Sequence, residues 1–267
     1  MLNLNNKVAI ITGAGSGLGK AISMSFAKSG ASVSLADINE KTLSATEEEI
    51  NKIHSNVISV KTDVSKENEI KNLISKTAEK FGKINIIVNN AAKAIGGYPI
   101  TNMSDEDWQA LIATNLSSVF YGCKHVIPHL QKAGGGSIIN IASAQAHTPL
   151  PGWAAYAGAK GAILSMTKQI ASEFGPQNIR ANSISPGTIA TEMVNQVVAE
   201  DGTGQLLKDF KLMHPLGRIG KPEEVGATAT FLASDGGAFV NGADFRVDGG
   251  LTITPRIKPG SGSKSKE

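Results

Sequence analysis

Residues 7–22 read KVAIITGAGSGLGKAI. The run KVAII (7–11) is short, apolar and β-branched, as a buried strand requires, and it passes directly into TGAGSGLGKAI (12–22). Glycines at a strand-to-helix turn let the chain bend sharply and let a pyrophosphate rest on the N-terminus of the next helix. Two familiar loop patterns fail. A phosphate-binding Walker loop would need Gly where Ala14 stands and Ser or Thr where Ala21 stands. A strict G-x-G-x-x-G counted from Gly13 ends on Leu18. What is present is T-G-x-x-x-G-x-G, carried by Thr12, Gly13, Gly17 and Gly19. Such a loop also serves as a plain turn, or beside the adenosine of a methyltransferase cofactor, so the rest of the chain has to decide.

Outward from this loop, short apolar runs recur at 7–11, 31–36, 56–60, 84–88, 136–142, 179–185 and 242–247. Amphipathic segments lie between them near 17–29, 39–53, 66–81, 104–132, 153–175 and 222–233. Near-continuous apolar strands alternating with helices predict a parallel sheet covered on both faces. The expected fold is a single-domain, doubly wound α/β (Rossmann-type) sheet of about seven strands over residues 1–254, with ligands at the carboxyl ends of the strands. The long connection 187–221 reads as a binding loop or lid over 188–214. Residues 255–267, rich in Gly, Ser and Lys, read as a flexible basic tail.

That tail accounts for the net charge of +3, because it holds four basic residues and one acid and leaves 22 of each sign in the body. A neutral body argues against a nucleic-acid or acidic-membrane partner, whose footprint is basic. The single cysteine, Cys123, excludes an intrachain disulfide and Cys-rich zinc frameworks, and it sits in the helical pattern as a structural thiol. No metal site is expected. The start MLNLNNKVAII lacks the form of a signal peptide, and no run approaches the roughly 20 apolar residues needed to cross a bilayer. A soluble, cytoplasmic protein is expected.

The chemistry gathers at strand ends and in one helix. The second strand ends in LADIN, where Asp37 can accept from both hydroxyls of an adenosine ribose and would repel a 2′-phosphate. Asp63, in KTDVS (61–65), can accept from an adenine amino group, although helix capping explains it almost as well. VNNAAKA (88–94) places Asn89 and Ala91 at the mouth of the sheet. WAAYAGAK (153–160) sets Tyr156 and Lys160 four apart among small helix formers, and therefore on one face. An ammonium beside a phenol lowers its pKa from about 10 and makes it a usable general acid or base.

Together with Asn115, Ser143 and SPGTIAT (185–191), these motifs resemble the short-chain dehydrogenase/reductase family from residue 7 to about 250, in the family's order and approximate spacing. The resemblance implies that Tyr156 exchanges a proton with the substrate oxygen. Lys160 then lowers the tyrosine pKa and holds the nicotinamide ribose, Ser143 hydrogen-bonds the reacting oxygen, and Asn115 supports a water linking Lys160 to solvent. It implies cofactor contacts at Gly13, Ser16, Gly17, Leu18, Gly19, Asp37, Asp63, Val64, Asn89, Ala91, Tyr156, Lys160, Pro186, Gly187, Ile189 and Thr191, with NAD favoured by Asp37. Substrate contacts are expected at Ser143, Gln145, Trp153, Tyr156 and Met193, within mostly apolar walls that also draw on His147, Val197 and Phe210. His147 and His214 read as solvated loop residues. The expected activity is hydride transfer between NAD(H) and a neutral secondary alcohol or ketone, of the cyclic-alcohol, steroid, polyol or sugar class. A 3-oxoacyl-(acyl-carrier) reductase using NADPH and a non-catalytic nucleotide sensor or scaffold are the alternatives. The absence of T-G-x-x-G-x-x-G and the modest length discount epimerase chemistry. Family resemblance also implies a homo-oligomer, with a tetramer favoured over a dimer, and Val119, Phe120, Ile163, Leu164 and Ile170 offer an apolar face for it.

Overall fold

The computed structural model describes residues 2–53 and 56–253, so the tail expected at 255–267 lies outside the described residues. Seven parallel strands form one sheet in the order β3-β2-β1-β4-β5-β6-β7. They are β1 (Val8–Thr12), β2 (Ser32–Asp37), β3 (Val57–Lys61), β4 (Ile86–Asn89), β5 (Gly136–Ile141), β6 (Ile179–Pro186) and β7 (Asp244–Val247). Successive apolar residues serve opposite faces, which is why the strands read as unbroken apolar runs. Ile11, Val33, Leu35, Val88 and Ile141 pack against α1 (Gly17–Lys28), α2 (Glu40–Asn51) and α9 (Pro222–Ala233) through Phe26, Ile50 and Leu232. Ile10, Val60, Ile87 and Ile138 face the other way, onto α3 (Glu67–Phe81), α5 (Ser118–Lys132) and α6 (Ala154–Phe174) through Leu73, Val126 and Ile163.

Strand order reverses between β1 and β4, and a doubly wound sheet opens its ligand crevice at such a point.

Two segments depart from the sequence reading. The single helix expected over 104–132 is α4 (Asp105–Ile112), a π-helical stretch (Ala113–Ser117) and α5. The wider turn falls on Asn115, and π-bulges concentrate at functional sites because they re-aim a side chain. The lid is also more ordered than a loop: α7 (Glu192–Asp201) and α8 (Gln205–Leu212) occupy it. Of the five apolar residues expected to face a second subunit, Val119, Ile163 and Ile170 are buried in this chain's own core, while Phe120 is half exposed. Cys123 is buried, and burial pushes its thiol up to about 12, as a structural cysteine requires.

Candidate active site

The glycine loop is sewn to the end of β4. Thr12 Oγ1 accepts from Asn90 N at 2.9 Å and Ala91 N at 3.1 Å, while Asn90 Nδ2 donates to Thr12 O at 2.8 Å. Gly13 has φ +66°, a left-handed conformation that favours glycine. A Cβ at Gly19 would collide with the Gly13 carbonyl oxygen, so the helix can start this close to the loop only with glycine there. The result is a cleft of about 360 Å³ lined by Gly13, Ser16, Gly17 and Leu18 from the loop, Asp37, Asp63 and Val64 after β2 and β3, Ala91, and Thr191.

Other lining residues were not foreseen: Ile38, Thr62, Asn90, Ala92, Lys93, Thr114 and Glu192. Glu192 matters most, because its Oε2 accepts from Gly17 N at 2.9 Å, at the helix end where an anion is expected. Only a lid folded back onto α1 brings it there, which sequence spacing does not reveal.

Several expected cofactor residues do not line this cleft. Asn89, on β4, points into the protein: its Nδ2 donates to Asn140 Oδ1 at 2.8 Å, next to Cys123. Strand alternation puts it inside and leaves Asn90 at the mouth. Gly19 is buried behind the loop, and Ile189 sends its side chain into the core. Pro186 and Gly187 border a separate cavity beside Ser143.

Asp37 ends β2 with its carboxylate held by two backbone amides, Gly15 N on Oδ2 and Asn39 N on Oδ1, both at 2.9 Å. Its neighbour Ile38 is exposed, and Lys61, the register partner of Asp37 on β3, is engaged by Glu40. Asp63 Oδ1 accepts from the Ser65 hydroxyl at 2.6 Å and from Ser65 N. Burial alone would raise its pKa, but the Ser65 bonds and Lys66 outweigh that and hold the carboxyl below its ordinary range.

Tyr156 and Lys160 share one face of α6, with Lys160 Nζ 5.7 Å from the Tyr156 ring centroid. Trp153 packs edge-on against Tyr156 at 5.9 Å. Tyr156 is hydrogen-bonded to Ser143, yet burial pushes its phenol up from the ordinary value and the Ser143 bond only partly offsets this. The net shift in this resting site is therefore upward, set by burial. Lys160 Nζ donates to Ile141 O at 2.7 Å, at the end of β5 just before Ser143. Its side chain is buried, and loss of solvent brings its pKa down to about 8. At neutral pH the site thus holds a protonated phenol beside an ammonium.

Asn115 is paired with Lys93: Oδ1 accepts from Lys93 N at 2.8 Å and Nδ2 donates to Lys93 O at 2.9 Å. Its side chain fixes the backbone of a cleft residue, and one Nδ2 hydrogen is left for a further partner.

Ser143 and Gln145 line a cavity of about 80 Å³ that runs to Pro186 and Gly187. Met213 closes it, while Met193 lines the larger cleft, so the expected methionine contact falls on the far end of the lid. Both histidines have partners. His147 Nε2 lies 2.8 Å from Asp244 Oδ2. His214 is buried, with Nε2 accepting from Thr188 N and Nδ1 donating to Phe210 O, so it pins the base of the lid.

A cleft at the switch point, together with Tyr156 and Lys160 on one face of α6 and Ser143 after β5, is the arrangement of a dinucleotide-dependent oxidoreductase. A family model described as enoyl-(acyl carrier protein) reductase matches residues 13–252. A 3-oxoacyl-(acyl-carrier-protein) reductase of Thermotoga maritima is 37% identical over 94% of this chain and 100% of its own length. A D-threitol dehydrogenase of Mycolicibacterium smegmatis is 38% identical over 94% of each chain. The crystal structure of a 3-ketoacyl-(acyl-carrier-protein) reductase from Brucella melitensis complexed with NADH superposes with a TM-score of 0.85 at 33% identity, covering 94% of this chain and 100% of that one. The chain belongs to the short-chain dehydrogenase/reductase family, oxidoreductases acting on CH–OH or keto groups, whose fold binds a nicotinamide cofactor. Among the described residues, no helix is long and apolar enough to cross a membrane.

Proposed function

We propose that this protein is an NAD-dependent dehydrogenase/reductase interconverting neutral secondary alcohols and ketones, of the cyclic-alcohol, steroid, polyol or sugar class. The observation that carries the reading is the buried Tyr156, hydrogen-bonded to Ser143 and sharing a helix face with Lys160. Retention of all three disfavours a non-catalytic sensor. The neutral body supports a small-molecule substrate, and we place the enzyme in the cytoplasm as a homotetramer whose subunits meet in part at Phe120. Residues 1–254 form its catalytic domain, and 255–267 are a basic tail.

The residues fit a dinucleotide. The Gly13–Gly19 loop cradles a pyrophosphate on α1, Asp37 receives the adenosine ribose, and Thr191 and Lys93 flank the other half of the cleft. A bound nicotinamide supplies or accepts the hydride. Tyr156 gives its proton to the oxygen of a ketone, or takes one from an alcohol, and Ser143 steadies that oxygen. Lys160, an ammonium below pH about 8, stabilises the phenolate that forms in reduction.

A 3-oxoacyl-(acyl-carrier-protein) reductase using NADPH is the second reading; its substrate class is favoured by what the Thermotoga and Brucella relatives are named for, while the Brucella structure holds NADH. Asp37 speaks against its cofactor. A 2′-phosphate would meet a carboxylate whose register partner on β3, Lys61, is paired with Glu40, and would lose two carboxylate–hydroxyl bonds. The expected preference for NAD is on the order of a hundredfold or more in kcat/KM. Asp37→Ser with Ile38→Arg should move it toward NADP, since Ile38 is exposed and leaves room for a guanidinium. Steady-state kinetics with both cofactors decide: equal efficiency, or an NADPH preference in the unaltered protein, overturns the Asp37 assignment and restores the acyl-chain reading.

Glu192 yields a separate expectation. A pyrophosphate on α1 must displace its carboxylate from Gly17 N, so Glu192→Gln should tighten NADH binding by about threefold, within the usual range for charges at helix ends. Titration of NADH fluorescence measures it, and an unchanged or weaker Kd shows that the carboxylate does not compete.

A further inference from the structure

Among the described residues, two buried side-chain oxygens lack a hydrogen-bond partner, Ser59 Oγ on β3 and Gln145 Oε1. Buried polar atoms are nearly always paired, so an exception beside a catalytic group calls for a partner that arrives with the substrate. Gln145 borders a cavity that it shares with Ser143.

The turn that carries Gln145 is held in place. Gln145 N donates to Ser143 Oγ at 3.1 Å, and the turn is closed by Ala146 N to Ser143 O and His147 N to Ala144 O. The His147 ring is then tied to Asp244 on β7. The backbones of the two residues are therefore anchored at a fixed spacing on one turn, which keeps the Gln145 side chain beside Ser143. Apart from these two, the cavity is walled largely by Ala144, Leu150, Pro186, Met213 and Leu251. Its volume of about 80 Å³ holds roughly three water-sized groups. A donor that reaches Gln145 from a carbon bound near Ser143 must sit within one or two bonds of that carbon.

We propose that Gln145 Oε1 accepts a hydrogen bond from a second substrate hydroxyl next to the reacting carbon, selecting vicinal diols and their α-hydroxyketone products over simple alcohols. The inference rests on the alcohol–ketone reading above. In the oxidation direction the carbinol C–H bond breaks and its hydride passes to the oxidised nicotinamide. The carbinol proton passes to the Tyr156 phenolate, formed by prior loss of the phenol proton to solvent, a C=O bond forms, and the second hydroxyl is retained. Gln145 takes no part in these bond changes; it fixes which substrate is held for them. A site built around a buried acceptor rejects an analogue that leaves the acceptor unpaired.

The test compares 2,3-butanediol with 2-butanol, and trans-1,2-cyclohexanediol with cyclohexanol, as pairs differing by one hydroxyl. The wild-type enzyme is expected to favour each diol by tenfold to a hundredfold in kcat/KM. Gln145→Leu should abolish that preference by lowering kcat/KM for each diol to that of its simple alcohol, and should raise the melting temperature because an unpaired buried acceptor is gone. Gln145→Glu keeps an acceptor and should keep the preference, which covers the case of a leucine variant that fails to fold. Calorimetric titration of the diols into the enzyme–NADH complex, where no hydride can transfer, should show the same ranking without turnover. Equal efficiency on both members of a pair, or a preference that survives Gln145→Leu, overturns the proposal and leaves the alcohol dehydrogenase reading standing. Turnover of no member with either cofactor, while 3-oxoacyl thioesters are reduced, overturns that reading and this inference together.

Discussion

Replacing Tyr156 with phenylalanine is expected to cut turnover by about 10²-fold or more while NADH binding stays near normal. The substitution keeps the ring that packs edge-on against Trp153 and removes only the hydroxyl bonded to Ser143. General acid–base groups contribute about 10²–10⁴-fold, and no other titratable side chain hydrogen-bonds Ser143 Oγ among the described residues. Because burial keeps the phenol protonated at neutral pH, its loss should be felt most in ketone reduction, where the proton has to be delivered. Steady-state rates and NADH titration of the same preparation check both halves. Wild-type turnover with chemistry rate-limiting shows that the proton comes from elsewhere.

The second large effect is expected from Lys160→Met, which should lose activity to a similar degree without losing stability. Lys160 is an ammonium about 2% exposed whose one hydrogen bond goes to Ile141 O. Its pKa falls from 10.5 to about 8, a shift that corresponds to about 3 kcal/mol against the charged form in the folded state. Methionine fills similar volume without that penalty, and the lost bond to Ile141 offsets part of the gain. At pH 7 the variant should melt at or above the wild-type temperature. The pH dependence has a definite sign. Between pH about 8 and 10.5 the unfolded chain still holds a proton that the folded protein has released, so wild-type stability rises through this window relative to the variant. Below pH 8 both states of the wild type are protonated and the difference is flat. Thermal melts at pH 7 and pH 9.5 measure it. A variant markedly less stable at pH 7, or a gap that widens with pH, contradicts the buried-ammonium account.

Much of this molecule was legible because its sheet is buried on both faces. Ile10 and Ile11 serve opposite cores, so each strand appears as an unbroken apolar run whose order with the helices fixes the topology. Gly13, Gly17, Asp37 and the Tyr156–Lys160 pair were legible for a different reason: each sits where local geometry dictates residue type. What stayed hidden depended on distant segments or on alternation at strand ends. Asn89 and Asn90 are indistinguishable as neighbours, yet one lies in the interior against Asn140 and the other holds the glycine loop. Glu192 meets Gly17 only because the lid folds over α1, and Met213 rather than Met193 reaches the Ser143 cavity for the same reason. The π-helical stretch at Asn115 is likewise invisible to a 3.6-residue periodicity, which carries straight through it.

The central claim is that this site moves a hydride between a secondary carbinol carbon and NAD, with Tyr156 managing the proton. The most direct measurement uses a secondary alcohol deuterated at the carbinol carbon, incubated with NAD and the enzyme, with the reduced cofactor analysed by mass spectrometry. The account predicts NADH one mass unit heavier from the wild type and very little reduced cofactor of either mass from Tyr156→Phe. Unlabelled NADH from the deuterated alcohol, or heavy NADH formed equally fast by the phenylalanine variant, would contradict it.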